Sequence, residues 1–173
     1  MPISSTEIVI RDDHGHDVSQ GQVGEICIRG PQVMVGYWQR PEETEHVMFA
    51  DGFLHTGDVG YIDPNGYVFL VDRKKDMILV SGFNVYPNEV EEAVAMHEGV
   101  AEVAAIGVVD EHSGEAVKIF VVRKNPRVTE QMLIEHCRTL LTGYKIPKHV
   151  EFRDDLPRTN VGKILRRALK EGA

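Results

Sequence analysis

The chain has 173 residues, a formal net charge of −8 and a hydrophobic content of 42%. This composition is typical of a globular protein and excludes an intrinsically disordered chain. The acidic balance argues against a general nucleic-acid binder, and no apolar run approaches the ~20 residues that a membrane-spanning helix needs.

The charge is unevenly distributed along the chain. Residues 1–72 contain three Lys or Arg against twelve Asp or Glu, whereas residues 73–173 contain sixteen against fifteen. Residues 145–170 alone contain eight basic and three acidic side chains. A basic segment of this kind suits a polyanionic small molecule such as a nucleotide, and a solvated helix face explains it equally well.

The cysteines and the N-terminus indicate an intracellular protein. Cys27 and Cys137 form no CxxC or Cys/His pattern, which predicts reduced thiols, no disulfide framework and no zinc site. The first residues also lack the basic and apolar regions of a secretory signal.

The first 72 residues have a β-type pattern. Strands are predicted at Ser5–Ile10, Val23–Arg29 and Tyr67–Val71, the last of them after the hairpin turn Asp63–Gly66. Pro41–Val47 predicts a short helix, with Pro in its first turn and acidic residues near the positive end of the dipole. Because the pattern begins abruptly, we expect these strands to belong to a larger sheet that starts upstream of the given sequence.

Two polar patterns in this part suggest chemistry. His14 and His16 lack a third ligand at a workable spacing, so a chance pair at a hairpin tip explains them better than a metal site. Asp58 follows a Thr-Gly turn at the end of an apolar run. There it either accepts hydrogen bonds from sugar hydroxyls or caps a backbone turn.

Residues 71–91, VDRKKDMILVSGFNVYPNEVE, separate the two parts of the chain. The charged run Asp72–Asp76 lies between two apolar runs, and consecutive charges are hard to bury. We therefore predict an exposed connection between two domains, residues 1–72 and 73–173, with a hinge at this point.

The second part is predicted to be a small α+β domain, with a three-stranded sheet, helices and a two-stranded hairpin. The two longest apolar runs lack alternation, which is typical of central strands covered on both faces. The predicted elements are a helix at Pro87–His97, strands at Val100–Val109 and Ala116–Val122, a helix from Thr129 to about Leu141, a strand at Val150–Phe152 and a basic helix from Ile164.

Lys163 follows Gly162 in a polar loop before the last helix. A Walker A phosphate loop is excluded, because position 157 is Pro and position 164 is Ile. The residue is then either an ordinary surface lysine or a mobile cation that meets negative charge developing in phosphoryl or nucleotidyl transfer.

Four segments together resemble the late core motifs of adenylate-forming enzymes, the superfamily of acyl-CoA synthetases, luciferases and peptide-synthetase adenylation domains. They are GEICIRGPQVMVGYW at residues 24–38, HTGD at 55–58, the stretch at 71–91, and LPRTNVGKILRR at 156–167. Within the superfamily, residues 71–91 and 142–167 resemble bacterial long-chain fatty-acid–CoA ligases in particular.

The resemblance implies roles for individual residues. Those implied for ATP are Asp58 on the ribose hydroxyls, Arg73 beside the same nucleotide, and the catalytic Lys163 between the acyl carboxylate and the α-phosphate. Those implied for CoA are Ser81, Gly82 and Phe83 along the pantetheine tunnel, and Tyr144, Lys145 and Ile146 beside them. Lys75 matches the hinge, and the Mg²⁺ ligands are expected mainly outside this chain.

The implied reaction joins a long-chain fatty acid to CoA through an acyl-AMP, with release of AMP and diphosphate. Residues 1–72 would then be the last β-barrel portion of the large N-terminal domain, and residues 73–173 the C-terminal lid. We expect the rest of the large domain to precede residue 1 and this chain alone to be inactive. A cytoplasmic enzyme is implied, and peripheral contact with the inner membrane would suit a membrane-dissolved substrate.

Two other functions stay open on the sequence alone. An adenylation enzyme could load another acyl substrate or a carrier protein, which a downstream carrier domain would favour. A stand-alone, non-catalytic lid-like module is the other, and the absence of a phosphate loop upstream would favour it.

Overall fold

A computed structural model describes residues 2–172 of the chain. The chain divides into two compact units, of which the first ends at Lys75 and the second begins at Asp76. The sequence places this division between residues 72 and 73; it falls later because a strand of the first unit continues through Arg73. Among the described residues, no helix is long and apolar enough to cross a membrane.

The first unit is an open, antiparallel four-stranded sheet in the order β1-β2-β3-β4. No barrel closes within its described residues. The short helix predicted here is confirmed, although it ends at Glu45 rather than Val47. Its elements are β1 Glu7–Arg11, β2 Gly24–Arg29, α1 Pro41–Glu45, β3 Leu54–Ile62 and β4 Val68–Arg73.

A close approach of backbones shapes the middle of this sheet. The β3–β4 register shifts between Val59 and Gly60. A Cβ on Gly60 would collide with the carbonyl oxygen of Phe69 and lie 2.7 Å from the Ile26 side chain. Only glycine fits there, so the shift and the pairing of the residues that follow depend on it.

The charged run at residues 72–76 is not uniformly exposed. Asp72 is only 3% exposed, so the prediction of an exposed connection was wrong at this residue. It is buried because β4 continues through it and pairs it with Val59 of β3. Lys74–Asp76 then form a 3-10 turn, in which Lys75 is exposed.

The second unit is a five-stranded sheet with three helices, which confirms the predicted α+β class. The strands follow the order β6-β5-β8-β7, and β9 pairs with β8 in parallel, the one such pair among residues 2–172. The predicted hairpin is present, and the pairing of Val80 with Gly114 joins it to the other three strands in one sheet. The elements are β5 Ile78–Val80, β6 Phe83–Val85, α2 Pro87–Ala95, β7 Val100–Asp110, β8 Gly114–Arg123, α3 Glu130–Leu140, β9 His149–Arg153 and α4 Arg166–Lys170.

The helices cover both faces of this sheet, as its two apolar strands predicted. On one face, α2 and α3 pack Val94 and Leu133 into a core with Ala105 and its neighbours. On the other face, Leu169 of α4 packs against Phe120. Burial of each large apolar side chain, such as Leu133 or Phe120, contributes about 1.5–3 kcal/mol to stability. Packing on both faces of the sheet therefore stabilises the unit.

Two details of the second unit differ from the prediction. β7 is an edge strand rather than a central one, since β8 is its only partner among the described strands. The last helix begins at Arg166 rather than Ile164, because Ile164 forms a β-bridge with Arg158. The predicted helix start at Thr129 is confirmed, because the Thr129 hydroxyl caps α3 by accepting the Met132 N–H at 3.3 Å.

Candidate active-site residues

Asp58 and Arg73 lie opposite each other where β3 pairs with β4. The Nε of Arg73 is 2.7 Å from Oδ1 of Asp58. That oxygen is buried and receives no well-directed hydrogen bond, so the contact is an ion pair. The Asp58 side chain is 30% exposed, which leaves its second oxygen able to accept hydrogen bonds from hydroxyl groups of a ligand.

The Thr56 side chain fixes the turn before Asp58. The Thr56 hydroxyl donates to the Ile26 carbonyl at 2.6 Å and accepts the Asp58 N–H at 3.1 Å. Gly57 adopts a φ of +70°, a conformation that favours glycine. The Asp58 backbone is therefore held in place without any ligand.

Glu25 is a buried carboxylate that joins this turn to the end of β4. Its side chain is 5% exposed, and its oxygens lie 3.0 Å from Nδ1 of His55, 3.1 Å from the Gly57 nitrogen and 3.1 Å from Nζ of Lys74. Burial alone would raise the pKa of Glu25. The hydrogen bonds from His55, Lys74 and Gly57 outweigh it, so the pKa lies below its ordinary value of 4.5.

Lys74 and the predicted hinge residue Lys75 have different surroundings. Nζ of Lys74 lies 3.0 Å from Oδ1 of Asp13 as well as 3.1 Å from Glu25. Partial burial would lower the pKa of Lys74, but these two carboxylates raise it. The exposed Lys75 has no hydrogen-bond or ion-pair partner for its ammonium among residues 2–172.

Ser81 and Gly82 form the two-residue turn between β5 and β6. Their φ angles are +50° and +83°, as a type I′ hairpin turn requires. The Ser81 N–H donates to the Ser113 carbonyl at 2.7 Å, which fixes the turn. A Cβ on Gly82 would meet nothing within 4 Å, so a ligand can approach this backbone closely.

The two segments predicted for CoA meet through their aromatic rings. Phe83 stacks on Tyr144 with ring centroids 4.8 Å apart. Lys145 instead pairs with Glu89 at 2.6 Å and its side chain is 17% exposed, so it presents no free cation. Ile146 packs against the core of the unit. A surface groove beside these residues is lined by Val80, Ile134, Arg138, Gly143, Tyr144 and Lys148.

Lys163 ends a tight turn that begins at Thr159. The Thr159 N–H donates to the Lys163 carbonyl at 2.7 Å, and the Lys163 N–H donates to the Thr159 hydroxyl at 3.2 Å. Gly162 has a φ of +82°. In the described part of the chain, the exposed Lys163 ammonium has no partner, so it is available to an anion.

The prediction from sequence missed the residues that hold this turn. Arg158 donates to the Gly162 carbonyl at 2.9 Å and also pairs with Glu102 on β7. It therefore ties the residue before Lys163 to the sheet. The role of Glu25 was likewise not predicted, although a carboxylate inside an apolar strand is a signal that could have identified it.

The turn of Lys163 and the aromatic pair are anchored on opposite faces of one sheet. Ile164, the residue after Lys163, packs with the core on the α4 face. Tyr144 and Ile146 pack with the core on the α2 and α3 face. The second unit thus carries two distinct sets of predicted site residues, one on each side.

No group of three or more His, Cys, Asp or Glu residues in the described part of the chain is arranged to hold a metal ion. Both cysteines are buried and outside any disulfide. Burial raises the pKa of the Cys27 thiol to about 12 and that of Cys137 to about 11. Neither thiol is therefore an accessible nucleophile.

Known protein families match both units. Residues 1–38 match the family described as AMP-binding enzyme, and residues 89–163 match the AMP-binding enzyme C-terminal domain. The chain belongs to the AMP-binding enzymes. The family resemblance seen in the sequence is thereby confirmed.

Individual members of the family are closely similar to this chain. It is 61% identical over 173 residues to a long-chain-fatty-acid–CoA ligase of Escherichia coli O157:H7, covering 100% of this chain and 31% of the relative. It is 48% identical over 172 residues to a long-chain-fatty-acid–CoA ligase of Bacillus subtilis strain 168, covering 98% of the chain and 30% of the relative. The crystal structure of ATP-bound MatB from Rhodopseudomonas palustris matches with a TM-score of 0.91 and 39% identity, covering 97% of this chain and 34% of that one. The chain thus spans about a third of the length of these relatives.

Proposed function

We propose that this chain is part of an ATP-dependent long-chain-fatty-acid–CoA ligase and that the unit from Asp76 onward is its mobile lid. The fatty carboxylate attacks the α-phosphorus of ATP and expels diphosphate, which forms an acyl-AMP. The CoA sulfur then attacks the acyl carbonyl carbon and expels AMP. The proposal rests on the similarity to long-chain-fatty-acid–CoA ligases. It rests also on the anchoring of the Lys163 turn and of the Phe83–Tyr144 pair on opposite faces of one sheet.

Lys163 acts in the first step. Its unpaired ammonium stands on a turn fixed by Thr159 and Arg158. A positioned cation stabilises the negative charge that develops as the carboxylate attacks the α-phosphate. Asp58, oriented by Arg73, accepts hydrogen bonds from the ribose hydroxyls of the same nucleotide. Mg²⁺ accompanies the phosphates of ATP, and no residue described here is assigned to it.

The hairpin acts in the second step. Gly82 leaves the backbone open, so a thiol arm can pass close to it. The stacked rings of Phe83 and Tyr144 form a wall beside it, against which the methylene groups of an extended arm can pack.

A moving lid lets one enzyme perform both steps. The first step needs a cation beside the α-phosphate, and the second needs the same space for a thiol. Rotation at Lys75 would present first Lys163 and then the hairpin to a single reaction centre.

The two half-reactions of the full-length enzyme test this proposal. Lys163→Ala should slow acyl-AMP formation from palmitate and ATP by about 10²–10³, roughly 2.7–4 kcal/mol, the effect of losing one preorganised electrostatic contact. CoA transfer from supplied palmitoyl-AMP should be preserved. Lys170→Ala, at an exposed lysine of α4, is the matched control and should leave both steps unchanged.

Other outcomes would contradict the proposal. Equal loss of both half-reactions in Lys163→Ala would remove the assigned role of Lys163. Transfer of the acyl group to a carrier protein but not to CoA would favour a carrier-loading enzyme. Failure to form an acyl-AMP from any acid would favour a non-catalytic module.

A further inference from the structure

We propose that Glu25 and Arg166 are positioning residues that fix the two neighbours of Lys75, so that lid rotation is confined to Lys75 itself. The functional meaning of this inference rests on the proposed function. Its structural content, the local order of Lys74, Lys75 and Asp76, can be measured on the chain alone.

On the N-terminal side, Lys74 is held to the first unit. Its ammonium lies 3.1 Å from Glu25 and 3.0 Å from Asp13, which come from different segments of that unit. Glu25 is itself immobilised, because His55 and the Gly57 N–H bind the same carboxylate. A buried carboxylate with three donors exchanges partners slowly, since an unpaired oxygen would be costly to expose to an apolar interior.

On the C-terminal side, Asp76 is held to the second unit. Nη1 of Arg166 lies 3.7 Å from Oδ2 of Asp76. The other guanidinium nitrogens bind Glu91 at 3.0 and 2.8 Å and Asn88 at 2.6 Å, both on α2. The Arg166 side chain is 19% exposed and the Glu91 side chain 18%. Two residues after Asp76, Ile78 is fully buried and starts β5.

Glu91 extends this second anchor into the sheet. Its Oε1 accepts the Ala105 N–H of the edge strand β7 at 2.8 Å. Arg166 is also the first residue of α4, which begins shortly after Lys163 in the chain. The same arginine therefore connects the C-terminal flank of the hinge, helix α2, the edge of β7 and the segment that carries Lys163.

Lys75 differs from both of its neighbours. It is exposed, and its ammonium has no partner within the described chain. With Lys74 fixed to one unit and Asp76 to the other, the soft backbone dihedrals left between them are those of Lys75. A hinge of one residue limits the lid to few orientations, which favours productive positioning of Lys163.

Backbone ¹⁵N relaxation of residues 73–77 in the 173-residue chain tests this inference. In the parent, the order parameter of Lys75 should fall below that of both neighbours, toward about 0.6 against about 0.85. Glu25→Gln should lower the value at Lys74 only, and Arg166→Met the value at Asp76 only. Lys74→Gln and Asp76→Asn repeat the two tests with more exposed partners, in case Glu25→Gln or Arg166→Met does not fold.

Arg167→Met is the matched control, because Arg167 is adjacent, exposed and paired only with Glu171 among the described residues. It should leave the backbone order parameters of residues 73–77 unchanged. Equal order at Lys74, Lys75 and Asp76 in the parent would overturn the inference. So would an unchanged profile in all of the folded Glu25, Lys74, Arg166 and Asp76 variants.

Kinetics of the full-length enzyme test the functional meaning separately. Asp76→Asn should lower the kcat of both half-reactions by up to about tenfold, since a looser hinge misplaces the lid groups, with the KM for ATP unchanged. A raised KM with unchanged kcat would overturn the positioning role. If the parent forms no acyl-AMP, the proposed function fails while the relaxation result still stands.

Discussion

The Nε of Arg73 lies 2.7 Å from Oδ1 of Asp58, across a register pair that joins β3 to β4. This pair stands at the end of the first unit, which finishes at Lys75. Arg73, which belongs to the predicted nucleotide contact, therefore lies only two positions before Lys75, the predicted hinge. A change in the strand pairing would disturb both.

Arg73→Met should raise the KM for ATP of the full-length enzyme by about fivefold, because Asp58 loses the partner that orients it. The effect is modest because the Arg73 side chain is 58% exposed. Arg73→Lys should retain part of the affinity, and Arg40→Met, at an exposed arginine paired with Glu43, should retain all of it. An unchanged KM for ATP in Arg73→Met would argue against the assigned role.

Gly82→Ala and Gly66→Ala form a matched pair. Both glycines lie in hairpin turns with φ of +83° and +84°, and a methyl group added at either position would meet nothing within 4 Å. Each substitution should cost about 1–2 kcal/mol of stability, since L-residues are strained at this φ. Urea unfolding of the two variants measures this cost.

Only Gly82→Ala should also slow CoA transfer, by about tenfold, because the added methyl group stands where the thiol arm passes. Acyl-AMP formation should be the same in both variants. A similar loss of CoA transfer in Gly66→Ala would show that strain rather than contact with CoA is responsible.

Lys75→Pro should slow CoA transfer more than acyl-AMP formation in the full-length enzyme. Proline fixes φ near −65° and removes the rotation that the second step requires. Lys75→Ala removes the same ammonium without restricting φ, so its effect should be smaller. The ratio of the two half-reaction rates is the measurement, and CoA transfer unaffected by Lys75→Pro would exclude Lys75 as the hinge.

Glu25 should make the stability of the chain depend on acid pH. Its pKa is below 4.5 in the folded state, so its stabilising effect is complete above the unfolded pKa and is lost as the pH falls through the folded pKa. Glu25→Gln should lower the free energy of unfolding by about 1–3 kcal/mol at pH 7 and flatten its decrease below about pH 4.5.

Urea unfolding of the chain between pH 3 and pH 7 checks this prediction. Glu42→Gln, at an exposed position of α1, should leave the pH dependence as it is in the parent. A Glu25→Gln variant with the full acid dependence would show that other carboxylates account for it.

Local chemistry allowed much of the fold to be predicted. The Asp63–Gly66 turn, the helix start at Thr129 and the apolar runs of β7 and β8 depend on neighbouring residues or on their own burial. The same signals do not report which strands pair. The sequence therefore misplaced β7 as a central strand, and it did not reveal that the pairing of Val80 with Gly114 joins the β5–β6 hairpin to the other strands.

The motifs by themselves determined which family this chain resembles and which side chains are candidates for its chemistry. Only the tertiary structure decided which residues support them. Glu25 meets Lys74 and Arg166 meets Glu91 across long stretches of chain, and Asp72 is buried in spite of its charged neighbours. The physical reason is that a charge is exposed or buried according to the partners that folding brings to it, and those partners are not neighbours in sequence.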